Sequence, residues 1–206
     1  MALTPLVKVA GRRREWLANV AAYTLAGAAT SGLVGAALGA AGALVTVGRI
    51  GPYGAGAAAV AVAALVLGRE LGWLPAPLPQ LPRQTRARWG GDLPGPAAAA
   101  LWGGDVGLTF STYLTFSGAW LLLALAVLAS SPAFGAALFA AHWLGRAASV
   151  WAAPLLLPDS GAGAELVRRV SRHHRLLQRA HVAAVGLSVV ALTWPLVRLA
   201  ARAFGS

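Results

Sequence analysis

Ala141-His142-Trp143-Leu144-Gly145-Arg146-Ala147-Ala148-Ser149-Val150-Trp151 lies within an otherwise apolar run from about Ala133 to Leu157. A helix rises about 1.5 Å per residue, so this run is long enough to cross a hydrocarbon core of about 30 Å. Arg146 stands near its middle, where a guanidinium costs about 2.5–3.5 kcal/mol on insertion scales. Charges at that depth face a bundle interior or a watery cavity. The stretch therefore predicts a membrane helix first and a buried polar site second.

Further apolar runs lie to either side. They predict spans at about Leu17 to Val47, Tyr53 to Leu67, Val106 to Ala129, Ala133 to Leu157 and Ala180 to Leu199. With 58% hydrophobic and only 11% charged residues, the composition excludes an ordinary soluble domain. The expected fold is all-α, a polytopic transmembrane helical bundle of five to six spans, with two inverted repeats as one arrangement. A single integral membrane domain is expected over 1–206: a first half to about residue 74, a Pro-rich linker at 75–96, and a second half from 97. The first apolar run is too long and Gly-rich for a cleaved signal peptide, and reads as a retained helix.

Seventeen cationic residues against six acidic ones give a net charge of +11. A basic balance can mark nucleic-acid binding, but these cations flank the apolar runs. Lys8 and Arg12 to Arg14 precede the first span, Arg69, Arg83, Arg86 and Arg88 follow the second, and Arg168, Arg169, Arg172, Arg175 and Arg179 separate the last two. With a cytoplasmic N-terminus and five crossings, all three clusters fall on the cytoplasmic side, as the positive-inside rule requires. Arg198 and Arg202 dissent, and a sixth span would reverse the second half. The expected partners are the lipid bilayer and its anionic headgroups, which the basic stretch Ser160 to Arg179 suits as an interfacial helix. No nucleic acid is expected, and homo-oligomerisation stays open. The expected location is the inner (plasma) membrane, multi-pass.

The absence of cysteine excludes disulfides and thiolate metal sites. Neither a phosphate loop nor a hydrolase or zinc motif is found, so the chain is not expected to be an enzyme, and no cofactor or metal site is assigned. A bis-His haem on His142 and His181 is the weak alternative.

Polar residues inside apolar segments supply the candidate site. Ser31, Gly35 and Gly39 recur every four residues on the first span, with Thr30 beside them, as in a groove for a neighbouring helix. Trp102-Gly103-Gly104-Asp105-Val106-Gly107-Leu108-Thr109-Phe110-Ser111-Thr112 places Asp105, Thr109 and Thr112 along one side, with glycines able to interrupt the helix. Freed backbone groups and hydroxyls at such a break can coordinate an ion or polar solute. Equally, the hydroxyls can bond back to their own helices while Asp105 caps an end. His142 and Arg146, four apart, share a face, and Asp105 is the expected counter-ion of Arg146.

A Ser/Thr/Gly-bearing first helix, a connector ending Pro82-Arg83-Gln84-Thr85-Arg86-Ala87-Arg88-Trp89, and the hydroxyl-rich stretch from Trp102 to Phe116 together resemble the transmembrane thiol-disulfide transporter family of DsbD and CcdA, within the wider LysE-like transporter group. The resemblance implies two inverted three-helix repeats. The stretches matching that family's reactive cysteines, around Thr30 and Ser31 and around Ser111 to Thr115, hold neither Cys nor Pro, so its electron transfer is not implied. What remains implied is a cysteine-free relative on a transporter scaffold. The expected function is movement of a small polar solute or ion through a site of Thr30, Ser31, Asp105, Thr109, Thr112, His142 and Arg146. The competing expectation is a non-transporting scaffold or accessory subunit.

Overall fold

A computed structural model describes residues 13–45, 47–74, 92–109, 117–156 and 172–204. The described residues form six helices and no strand: α1 (Arg13–Val45), α2 (Val47–Glu70), α3 (Gly95–Gly107), α4 (Gly118–Ala129), α5 (Pro132–Leu156) and α6 (His174–Phe204). Two stretches, Arg14–Val45 and Tyr53–Glu70, are long and apolar enough to cross a membrane. The Pro-rich segment 75–91, most of the basic segment before Arg172, and Thr112 lie outside the described residues.

Local chemistry sets the helix ends. Pro94 precedes α3 and Pro96 sits in its first turn, where a missing N–H costs nothing. Pro132 likewise opens α5. Glycine ends α2: Gly72 has φ +80°, its N–H donates to the Arg69 carbonyl at 2.9 Å, and the Trp73 N–H donates to the Gly68 carbonyl at 2.8 Å. This is a Schellman closure, with Trp73 and Leu74 folded back over Gly68. It fixes Glu70 as the last helical residue of α2.

The third expected span is not continuous. In place of one helix over Val106 to Ala129 the chain forms α3, ending at Gly107, and α4, beginning at Gly118. The cause is visible at Thr109, whose φ of +60° is left-handed and cannot continue a right-handed helix. With 13 and 12 residues, each helix is only about 18–20 Å long, short of the roughly 30 Å of a hydrocarbon core. The last helix differs in the other direction: α6 begins at His174 rather than near Ala180.

Contacts gather in two compact units, each assembled from three separated segments. The first comprises 1–34, 80–113 and 139–174. Its core is Val20, Tyr23, Ala99, Trp102, Trp143, Ala147 and Val150, from α1, α3 and α5. Here α3 meets α1 backbone to backbone, because a Cβ at Gly103 would collide with the Tyr23 carbonyl, and one at Gly107 would lie 2.7 Å from the Gly27 carbonyl. The Trp143 indole N–H donates to the Thr24 carbonyl at 2.9 Å, and the ring lies flush against Gly27.

The second unit comprises 35–79, 114–138 and 175–206. Its core is Ala63, Val66, Leu121 and Val185, from α2, α4 and α6. Small residues again set the spacing. Gly42 faces the Val127 carbonyl, Gly39 faces Ser131, and Gly135 meets the Gly35 carbonyl.

Along α1 the buried residues are Asn19, Val20, Tyr23, Gly27, Ser31, Gly35, Gly39 and Gly42, whereas Leu17, Leu25, Leu33 and Leu44 point outward. Leu33 is 70% exposed while Ser31 is wholly buried. Small and polar side chains inside with leucines outside is the reverse of a water-facing helix.

Candidate functional site

The residues expected to form a polar site lie in the first unit, apart from Thr112, which is outside the described residues. Thr30 is half-buried on α1, and its hydroxyl donates back to the Ala26 carbonyl at 2.7 Å. That hydroxyl also abuts Gly107, where a Cβ would approach it to 2.5 Å, so Thr30 is brought against α3. The Ser31 hydroxyl donates to the Phe139 carbonyl at 3.0 Å, tying α1 to α5. Asp105 is 8% exposed on α3. Thr109 is 1% exposed, and its hydroxyl donates to the Gly107 carbonyl at 3.2 Å across the helix end. A threonine held at positive φ in a buried setting is a strained position, and such positions cluster at functional sites.

His142 and Arg146 lie on α5, the first half-buried and the second exposed. The Arg146 guanidinium carbon stands 5.9 Å from the centre of the Trp143 ring, a cation–π contact. The expected ion pair with Asp105 is not formed, because Arg146 lies on the exposed side of α5. Ser149, one turn on, donates back to the Arg146 carbonyl at 2.8 Å. Thr30 is thus brought against the helix that carries Asp105, and Arg146 is held elsewhere. Local back-bonding also occupies Thr24, Ser188 and Thr193, as expected of hydroxyls within helices.

A second polar cluster, in the second unit, was not anticipated. The Glu70 side chain is 5% exposed. Its Oε1 accepts from the Ser117 N–H at 2.9 Å and from the Ser117 hydroxyl in a short bond. The Arg69 guanidinium lies 3.4 Å from the same oxygen and the His181 Nε2 3.9 Å. His181 is positioned by Gly118, where a Cβ would meet its ring at 2.9 Å. Glu70 stands at the C-terminal end of α2, where the helix dipole disfavours a carboxylate, but at the N-terminal end of α4, where it is favoured. The Ser117 side chain makes no cap bond to its own helix, and its hydroxyl is committed to Glu70.

In sequence, Glu70 is an acid beside a cation at the end of an apolar run, a pattern equally suited to a loop boundary. Its burial depends on Ser117 and His181, which lie 47 and 111 residues away, and no local spacing announces that meeting. The available signal was scarcity: Glu70 is the only acidic side chain in the sequence of the second unit's segments.

The fold and these clusters define a helical protein with exposed apolar side chains, an apolar segment interrupted near Thr109, and one buried carboxylate in each unit, Asp105 and Glu70. No protein family, curated protein or solved structure matches the chain.

Proposed function

We propose that the chain is a multi-pass inner-membrane protein, N-terminus cytoplasmic, that moves a small polar solute or ion. The observation that carries this is the division of the third apolar segment into α3 and α4. A short helix that carries buried Asp105 and ends at a left-handed, buried Thr109 within an apolar segment is the kind of discontinuous helix at which transporters bind ions and polar solutes. The outward leucines of α1 support lipid as the surrounding solvent. Thr30, Asp105 and Thr109 form the part of the solute site nearest this interruption, Ser31 ties it to α5, and Thr112 belongs to it by sequence. His142 and Arg146 belong to it by the sequence reading, with Arg146 exposed on α5.

The test is swelling of proteoliposomes, followed by light scattering, in iso-osmotic amino acids, ammonium chloride and potassium phosphate. The protein is expected to speed entry of at least one of these solutes, and Asp105→Asn and Arg146→Leu to abolish that gain while remaining folded. Entry no faster than in protein-free vesicles, or unchanged in both variants, overturns the proposal.

One observation favours an accessory subunit instead. Arg146 lies exposed on α5 among Leu144, Gly145 and Ser149, and a cation facing lipid calls for a partner helix to cover it. Co-purification of a second membrane protein, lost in Arg146→Leu, would decide for that function.

A further inference from the structure

The second unit contains one acidic side chain, and it is buried at a helix start. Helical residues 35–45, 118–129 and 132–138 bring no titratable side chain to this unit. Among the described residues, the ionisable neighbours of Glu70 on the packed elements include Arg69 on α2 and His181 on α6, with Arg175 and Arg179 exposed farther along α6. Tyr53 is exposed at the other end of α2. Glu70 Oε1 accepts both the hydroxyl and the backbone N–H of Ser117. A carboxylate that accepts several hydrogen bonds holds them through its negative charge, and loses strength as an acceptor when it takes a proton.

We propose that Glu70, with Ser117 and His181, is a proton-binding site that sets the anchoring of the α4 N-terminus. The ligand is the proton, and within the transport function proposed above it is the coupling ion; the inference rests on that function only for the word coupling. A proton from bulk water adds to the Glu70 carboxylate, neutralises it, and weakens its hold on Ser117. The His181 Nε2 stands 3.9 Å from the same carboxylate oxygen. Acidification therefore discharges Glu70 and releases the anchor.

Hydrogen exchange of the Ser117 and Trp120 amides reads this directly, in the full chain in lipid nanodiscs, after correction for the intrinsic pH dependence of exchange. In the wild type, exchange is expected to speed by about ten- to a hundredfold as acidification discharges Glu70, the range for loss of a charge-assisted hydrogen bond. Glu70→Gln should remove this step, His181→Gln should keep it, and Ser117→Ala should keep it with the backbone N–H as sole anchor. If Glu70→Gln does not fold, the step in the other two variants still reports the carboxylate. A pH-independent Ser117 amide, loss of the step in His181→Gln or Ser117→Ala, or a response to sodium at fixed pH overturns the site. A correct pH profile in a protein that moves no solute sinks transport alone; solute movement without the profile sinks the proton site alone.

Discussion

Gly103→Ala isolates the close contact of α3 with α1. The added Cβ would collide with the Tyr23 carbonyl, a backbone atom of a packed helix that cannot rotate aside. Overpacking of this kind costs about 1–3 kcal/mol, against which alanine regains about 0.5–1 kcal/mol of helix preference over glycine. Its neighbour supplies the control. A Cβ at Gly104 meets only the Thr30 methyl, at 3.9 Å, an ordinary contact, so Gly104→Ala should gain the helix term and lose nothing. Both positions are in the same helix, so their difference leaves the overpacking cost alone, about 1–3 kcal/mol or roughly five- to a hundred-and-fiftyfold in the folded-to-unfolded ratio. Reversible unfolding of purified protein by SDS in mixed micelles, followed by circular dichroism, measures that difference. Equal stabilities for the two variants would refute the backbone contact between α3 and α1.

Ser31→Ala removes the Ser31–Phe139 bond between α1 and α5 and should cost about 0.5–1.5 kcal/mol in the same titration. Thr109→Gly relieves a left-handed threonine, whereas Thr109→Val keeps the strain and loses the hydroxyl, so the glycine variant should be the more stable by about 1–2 kcal/mol. Arg146→Leu removes a contact to Trp143 at an exposed site and should change stability by less than about 1 kcal/mol, so that any loss of transport is a loss of function rather than of fold. Gly145→Ala, with nothing within 4 Å of the added Cβ, should be neutral or slightly stabilising; a clear loss would reveal a partner packed on α5.

Helix location was legible where apolar runs were long and uninterrupted. α1 and α5 begin and end within a few residues of the expected spans, because Ala- and Leu-rich composition and Pro132 act locally. The division at Thr109 was only partly legible. The glycines at 103 and 107 were read as helix breakers, yet they serve as flat surfaces against α1, and the interruption falls on a threonine whose positive φ no propensity predicts. Of the expected site, burial of Ser31, Asp105 and Thr109 followed from polar residues lying within apolar segments. The Asp105–Arg146 pair did not follow, since helix spacing tells which residues share a face but not which face turns inward. Glu70 was missed for a related reason: its partners come from α4 and α6, and only tertiary structure unites them.

The central claim is that the outward leucines face lipid. The chain has no cysteine, so a single introduced one is a unique reporter. Leu33→Cys replaces a side chain 70% exposed on α1, and Trp73→Cys one 74% exposed in the turn after α2. In membrane vesicles opened to both sides, a charged, membrane-impermeant maleimide should label position 73 and leave position 33 unmodified until detergent is added. Equal labelling of the two positions without detergent would place Leu33 in water and contradict the account.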